Sequence, residues 1–291
     1  MATSGSQEAI CRLVKDRTIE LEMEAARKPD YNGVVVTEDM LLVVEEDACN
    51  LQLYRRLDGK LMSPQRLEDR SMDVYLISKT EVAVCLADST IVILSFKSID
   101  DVKLVKTLNV RTGLYVCHSV AKLNSDKLVV SGVKWDDLML YWCVVNLTDG
   151  RVDSTHKVCK GGWSQLAIKN GTVYISCWTS DPTVRGVYAF DIFNPRTRKF
   201  LYQHIGFIPG SIMVDEMNFI YVCDLDSNSI HQLTDSGQLV TIHTVSSRPI
   251  GIFYDDQHGV LYTTSMKSNV ITLYRLEYSH EQVFLFNLHL L

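Results

Sequence analysis

The chain has 291 residues, 46% hydrophobic and 22% charged, with a net charge of −6. That much apolar content buries one large core, and all-β units of this length occur as single domains. The acidic balance argues against an obligate polyanion ligand, and no run approaches the roughly 18 apolar residues of a membrane helix.

Residues 1–16 carry no apolar stretch of the kind a secretory signal needs, and read as a tail, a short helix or a linker remnant. The eight cysteines are scattered singly with no Cys-x-x-Cys pair, which disfavours a zinc site or a disulfide framework. A reduced, cytoplasmic protein with no membrane contact is the expectation.

From Arg17 onward the chain reads as strands. The segment "RTIELEME" (17–24) alternates apolar and polar side chains. Then comes a strand pattern that recurs: "MLLVVE" (40–45), "EVAVCL" (81–86), "KLVVSG" (127–132), "TVYISC" (172–177), "FIYVCD" (219–224) and "VLYTTS" (260–265). The second position is always aliphatic and the fourth always β-branched. The fifth is small or β-branched: Val44, Cys85, Ser131, Ser176, Cys223 and Thr264, at steps of 41, 46, 45, 47 and 41 residues. Each copy precedes a second apolar strand, such as "LQLYRRL" (51–57) or "VYAFDIF" (187–193), and follows a shorter one, such as "SQLAI" (164–168) or "IGIFY" (250–254). Gly- and Asn-bearing turns then lead to an outer strand.

Four antiparallel strands in about 44 residues, six times over, predict an all-β, six-bladed propeller over residues 17–291. The ring must be closed by pairing the termini. "RTIELEME" and "EQVFLFNL" (281–288) compete for that outer strand of the last blade, and the N-terminal segment is preferred. The unit is expected to be monomeric.

One stretch imitates a metal site. "IYVCDLDSNSIHQL" (220–233) places Asp224, Asp226 and Asn228 at the spacing of a calcium loop. Counted from Asp224, the sixth position is Ser229 and the twelfth Asp235, where such a loop needs Gly and a bidentate Glu. The turn reading is better: short polar side chains bonding their own backbone between two strands.

These same residues carry a family resemblance. "IYVCDLDSNSIHQLTDSGQLV" (220–240) resembles an NHL repeat through Tyr221, Val222, Asp224, Asn228, Ile230 and the Asp235/Gly237 turn. "PGSIMVDEMNFIYV" and "RPIGIFYDDQHGVLYTT" are similar to the lead-in of that repeat. The Arg of the family pattern is Ser229 in this chain. Trp135-Asp136 stands in a connector, so it is not the Trp-Asp that ends a WD-repeat strand.

NHL propellers occur at the C-terminal end of tripartite-motif proteins. The resemblance implies a recognition module without chemistry of its own, for a protein partner or ubiquitination substrate. Ubiquitin-ligase activity would need a RING that clustered Cys and His must build, and this chain has none. Some NHL propellers bind single-stranded RNA, which is the alternative ligand.

Loop-borne Trp and Arg are typical interface anchors. In a propeller the connectors between blades and between second and third strands share one face. Arg111, Tyr115, His118, Trp135, Lys157, Lys160, Trp163, Trp178, Arg185 and Arg248 fall there, as does Lys267. The acids Asp136, Asp137, Asp181, Asp224 and Asp226 share that face, which favours a protein partner over RNA.

No cofactor, metal or catalytic constellation is expected. Lactonase-like propellers hold a divalent metal in the channel with Glu, Asn and Asp. The residues entering the inner strands here include Gly33, Ser119, Ser164, Ser211 and Gly251. Gly-x-Ser-x-Gly, His-x-x-x-His and phosphate-loop motifs are absent from the sequence. The expectation is therefore that the chain is not an enzyme.

Overall fold

The structure is a computed structural model that describes residues 11–23, 29–45, 49–96, 102–109, 114, 116–134 and 136–278. Every regular element in these residues is a strand. The first, β1, runs from Cys11 to Glu20. Blade 1 is β2 (Tyr31–Val36), β3 (Met40–Glu45), β4 (Asn50–Arg55) and β5 (Leu61–Arg66). Blade 2 is β6 (Ser71–Ser78), β7 (Glu81–Leu86), β8 (Thr90–Phe96) and β9 (Val102–Asn109). Blade 3 is β10 (Val116–Lys122), β11 (Lys127–Lys134), β12 (Met139–Asn146) and β13 (Val152–Lys160). Blade 4 is β14 (Trp163–Lys169), β15 (Thr172–Trp178), β16 (Gly186–Asp191) and β17 (Arg198–Tyr202). Blade 5 is β18 (Pro209–Val214), β19 (Ile220–Asp224), β20 (Ser229–Leu233) and β21 (Leu239–Thr244). Blade 6 is β22 (Pro249–Asp255), β23 (Val260–Ser265), β24 (Val270–Tyr278) and, on its outer edge, β1.

The ring therefore closes through the N-terminal strand, antiparallel to β24 from Cys11↔Tyr278 to Glu20↔Val270. Pairing starts at Cys11, inside the segment read as a tail. The competing segment 281–288 lies outside the described residues.

The repeat pattern is explained by where each side chain goes. Successive residues of a strand point to opposite faces, and each face of a blade packs on a different neighbour. Val43 sits in the joint between blades 6 and 1, and Val44 in the joint between blades 1 and 2. Val129 and Val130 divide in the same way between the joints of blade 3 with blades 4 and 2. Among the described residues six buried clusters result, one at each joint, so the core is a ring. This is why the second strands read as continuous apolar runs rather than alternating ones.

The recurring small position does more than pack. Ser131 Oγ accepts a bond from Ser164 Oγ of the next blade at 3.0 Å. Ser176 Oγ donates to Gly210 O at 2.5 Å, and Thr264 Oγ1 to Tyr31 O at 2.6 Å. The Cys85 and Cys223 thiols fill the same place as buried apolar groups. Ser176→Ala should cost roughly 1–2 kcal/mol in denaturant unfolding, because it leaves Gly210 O without this donor in a buried joint. A change indistinguishable from zero would show that the hydroxyl bond is not what holds that joint.

Candidate functional site

The inner strands set the site, and their first residues are irregular. In five blades a bulge interrupts the pairing of the first and second strands, between Tyr31 and Gly33, Ser71 and Asp73, Cys117 and Ser119, Pro209 and Ile212, and Pro249 and Ile252. β14 of blade 4 pairs with β15 without one. Across from the recurring small position therefore stand Gly33 (opposite Val44), Asp73 (opposite Cys85), Ser119 (opposite Ser131) and Gln165 (opposite Ser176). Ser211 and Gly251 occupy the corresponding place in blades 5 and 6, one residue before Ile212 and Ile252.

Asp73 is the chemical centre of this ring. Its Oδ2 accepts a bond from Ser119 Oγ at 2.6 Å and from Val120 N at 3.2 Å, and its Oδ1 accepts from Val74 N at 2.9 Å. Ser119 Oγ in turn accepts from Leu166 N at 3.2 Å, so the carboxyl links blades 2, 3 and 4. Burial pushes the carboxyl up to about 7, against the opposite pull of those three donors. Glycine at position 33 makes room for it, since a Cβ there would lie 2.9 Å from Asp73 Oδ1 and from Val44 Cγ2.

Below the ring the axis opens into a cavity of about 320 Å³, lined by inner-strand residues of all six blades. Tyr75, Phe253 and Tyr254 line it together with Asp73, Gln165, Ser211 and, at its mouth, Lys169, Glu216 and Asp256. A divalent metal does not fit the ring. A hard cation takes six or more oxygens, usually from several carboxylates, whereas the ring offers one carboxyl whose two oxygens are already held by donors. Among the described residues no group of three or more His, Cys, Asp or Glu is placed to share a metal.

The connector face holds the residues singled out from the sequence, in unequal roles. Arg111, Tyr115 and Trp135 lie outside the described residues. His118 is buried, stacked under Trp163 with ring centroids 4.7 Å apart, and burial lowers its imidazole to about 4. It is part of the packing at the top of blade 4 and does not present a free surface. Trp163 pairs across the strands with Trp178, which is 37% exposed.

Lys157 and Lys160 belong to the outer strand β13 and line a groove of about 590 Å³ between blades 3 and 4, with Arg196 and Arg198. Lys157 also stands 3.6 Å from Asp137. Arg185 is turned onto its own loop, donating from Nε and Nη2 to Thr179 O at 3.0 and 2.9 Å. Arg248 donates from Nε to Leu225 O at 2.7 Å and stands 3.7 Å from Asp226.

Asp224 behaves as a turn organiser. Its Oδ1 accepts from Ile208 N and Asp226 N, both at 3.1 Å, and its Oδ2 accepts from Ser227 Oγ at 2.7 Å.

Two features of this site are not among the residues named from sequence. Asp73 and Gln165 face the channel, whereas Ser164 turns into the joint with Ser131. Leu138 and Ile205 stand on the connector face as apolar side chains 50% and 97% exposed.

No protein-family model matches the sequence, and no curated protein matches it. Solved structures do. A luciferin-regenerating enzyme superposes with a TM-score of 0.68 at 14% identity, over 91% of this chain and 95% of its own. A gluconolactonase of Xanthomonas campestris gives 0.64 at 11% identity over 91% and 97%, and BamB of Moraxella catarrhalis 0.54 at 13% over 91% and 100%. At these identities the likeness shows the six-bladed propeller and nothing finer. It corrects one expectation all the same. The expectation that the chain is not an enzyme is overturned as a reading of the fold, since two of these three neighbours are enzymes on the same scaffold. The fold gives no ground for excluding catalysis.

Proposed function

We propose that this propeller recognises a partner protein through the connector face of blades 3 to 5. The observation that carries this reading is the grouping of Leu138, Trp178 and Ile205, three exposed apolar side chains on connectors of one face. Gly161 N bonds Leu138 O at 2.7 Å, and a Cβ on Gly162 would lie 1.7 Å from Trp178 O, so the blade 3–4 connector ties the first two together. Cations border the patch: Lys157 and Lys160 in the groove on one side, and Arg185 beside Ile205 in a depression of about 390 Å³ on the other. Apolar anchors ringed by charged side chains are the usual anatomy of an interface centre. The resemblance of blade 5 to NHL repeats supports the same reading, with the partner a protein rather than RNA because Asp137 and Asp226 stand against Lys157 and Arg248.

The test places a photo-crosslinking residue at Ile205 or Trp178 and, as a control, at Phe193 on the opposite face. Discrete protein adducts are expected from the first two positions only, and Trp178→Glu should remove those formed at Ile205. Equal labelling from Phe193 would defeat the assignment. Binding of short single-stranded RNAs that falls steeply with salt and is lost in a Lys157→Glu, Lys160→Glu, Arg248→Glu variant would replace the protein partner with RNA.

A further inference from the structure

We propose that the central channel binds a linear aliphatic amine, with one ammonium group received at the level of Asp73, Gln165 and Ser211 and the other held at the mouth by Glu216 and Asp256.

The lining is electrically lopsided. Two carboxylates at the mouth (Glu216 and Asp256) face the cavity against one ammonium, that of Lys169, and the buried carboxyl of Asp73 stands at the inner end. The nearby Lys122 is turned away, its Nζ bonded to Ile77 O at 2.7 Å. Neither Glu216 nor Asp256 forms an ion pair or hydrogen bond among the described residues. Three aromatic rings, Tyr75, Phe253 and Tyr254, complete the wall. Ring faces attract ammonium groups and repel anions. The hydroxyls of Tyr75 and Tyr254 register the field: burial raises both, and Asp256 raises both further, joined by Asp73 for Tyr75 and by Asp215 and Glu216 for Tyr254.

A second observation points to a ligand at the inner end. Ser211 is only 8% exposed, lines the cavity, and its hydroxyl has no hydrogen-bond partner among the described residues. Gln165, also buried, donates its side-chain Nε2 to His118 O at 3.4 Å, and its side-chain Oε1 has no partner among the described residues. An ammonium carries three donors and no acceptor, and these two oxygens with Asp73 Oδ1, which accepts only from Val74 N, give the inner end three acceptors.

The shape selects a linear molecule. The acceptor level and the mouth are separated by the stretches Asp73–Leu76 and Ser211–Val214, roughly 10 Å of extended strand. A cavity of about 320 Å³ lies at the small end of ligand pockets. A compact metal ion would reach one end only, whereas a diamine or triamine spans both.

Titration calorimetry of the full chain with spermidine, butylamine and sorbitol tests the proposal. Spermidine should bind saturably with Kd of about 1 mM or tighter, and the affinity should fall with added salt. Butylamine should bind more weakly, and sorbitol not at all. The Glu216→Gln, Asp256→Asn double variant should lose about tenfold in spermidine affinity, since it removes two exposed ion pairs, with its thermal midpoint unchanged. Ser211→Val should weaken both amines about fivefold by withdrawing one acceptor. Absence of amine binding overturns the proposal. So does binding that neither variant weakens, or sorbitol binding as tight as spermidine.

Discussion

Removing residues 1–20 is expected to lower the thermal midpoint by roughly 10 °C and to broaden the transition, because it opens the ring. β1 supplies the outer strand of blade 6, paired along β24 over its full length. Ile19, 4% exposed, belongs to the joint between blades 6 and 1 beside Tyr31, Val34 and Tyr262. Leu13 packs in the joint between blades 5 and 6. Burying Ile19 fully and Leu13 in part contributes about 2–4 kcal/mol, a large part of the 5–15 kcal/mol that holds a typical domain folded. The deletion also exposes β24 as a long unpaired edge, so the shortened chain should associate more readily. Calorimetry and light scattering check both effects. Full stability after this deletion, with loss on deleting 281–291 instead, would transfer closure to the other terminus.

The architecture was legible because its strongest constraint falls on the second strands. Both faces of every blade are buried, so residues of both parities there must be apolar, and six copies at nearly equal steps follow. Closure was legible in part and through another pattern: Ile19 and Leu21 alternate into one joint, whereas the start of the same strand at Cys11 lies in the segment read as a tail. The channel was legible only in part. Its ring lies just past the bulges at the start of the inner strands, and a bulge displaces every later residue by one place.

Counting from the strand start with one rule for all blades lands on Ser164 rather than Gln165, since β14 has no bulge. Asp73 is hard to see in the sequence because blade 2 begins with "SMD", two polar residues around one Met, and only the pairing of Asp73 with Cys85 shows the segment to be strand. The binding face suffered in another way. Arg185 and Arg248 carry the residue type of an interface anchor, but their guanidinium groups bond the carbonyl oxygens of nearby connectors. Nothing in the local sequence separates an arginine that braces a loop from one that meets a partner.

Asp73 should make the protein less stable as pH rises from about 4 to about 7. Its carboxyl has an ordinary value of 3.8 and is pushed up to about 7 in the folded chain, with burial as the leading cause. Below 3.8 it is protonated in both states and folding carries no ionisation penalty. Between the two values the unfolded chain releases the proton and the folded chain keeps it, so unfolding becomes easier by up to about 1.4 kcal/mol per pH unit. Above about 7 both states are ionised and the loss levels off, at a total on the order of 4 kcal/mol. The neighbours facing this carboxyl do not titrate in that window: burial raises Tyr75 and Cys85 from ordinary values of 10.0 and 9.0, and Ser119 is a neutral donor.

Asp73→Asn keeps the side chain's shape and the bond from Val74 N but cannot ionise. It sets an amide against the donors Ser119 Oγ and Val120 N, so it should be the less stable protein at pH 4. Urea unfolding of both chains at half-unit steps from pH 4 to 8 measures the difference, in which every group common to the two cancels. The gap in favour of the natural chain should shrink steadily across the window and stop changing above about pH 7. Two parallel curves would mean that Asp73 titrates alike in the folded and unfolded chains, and that water in the channel solvates its charge as well as bulk solvent does.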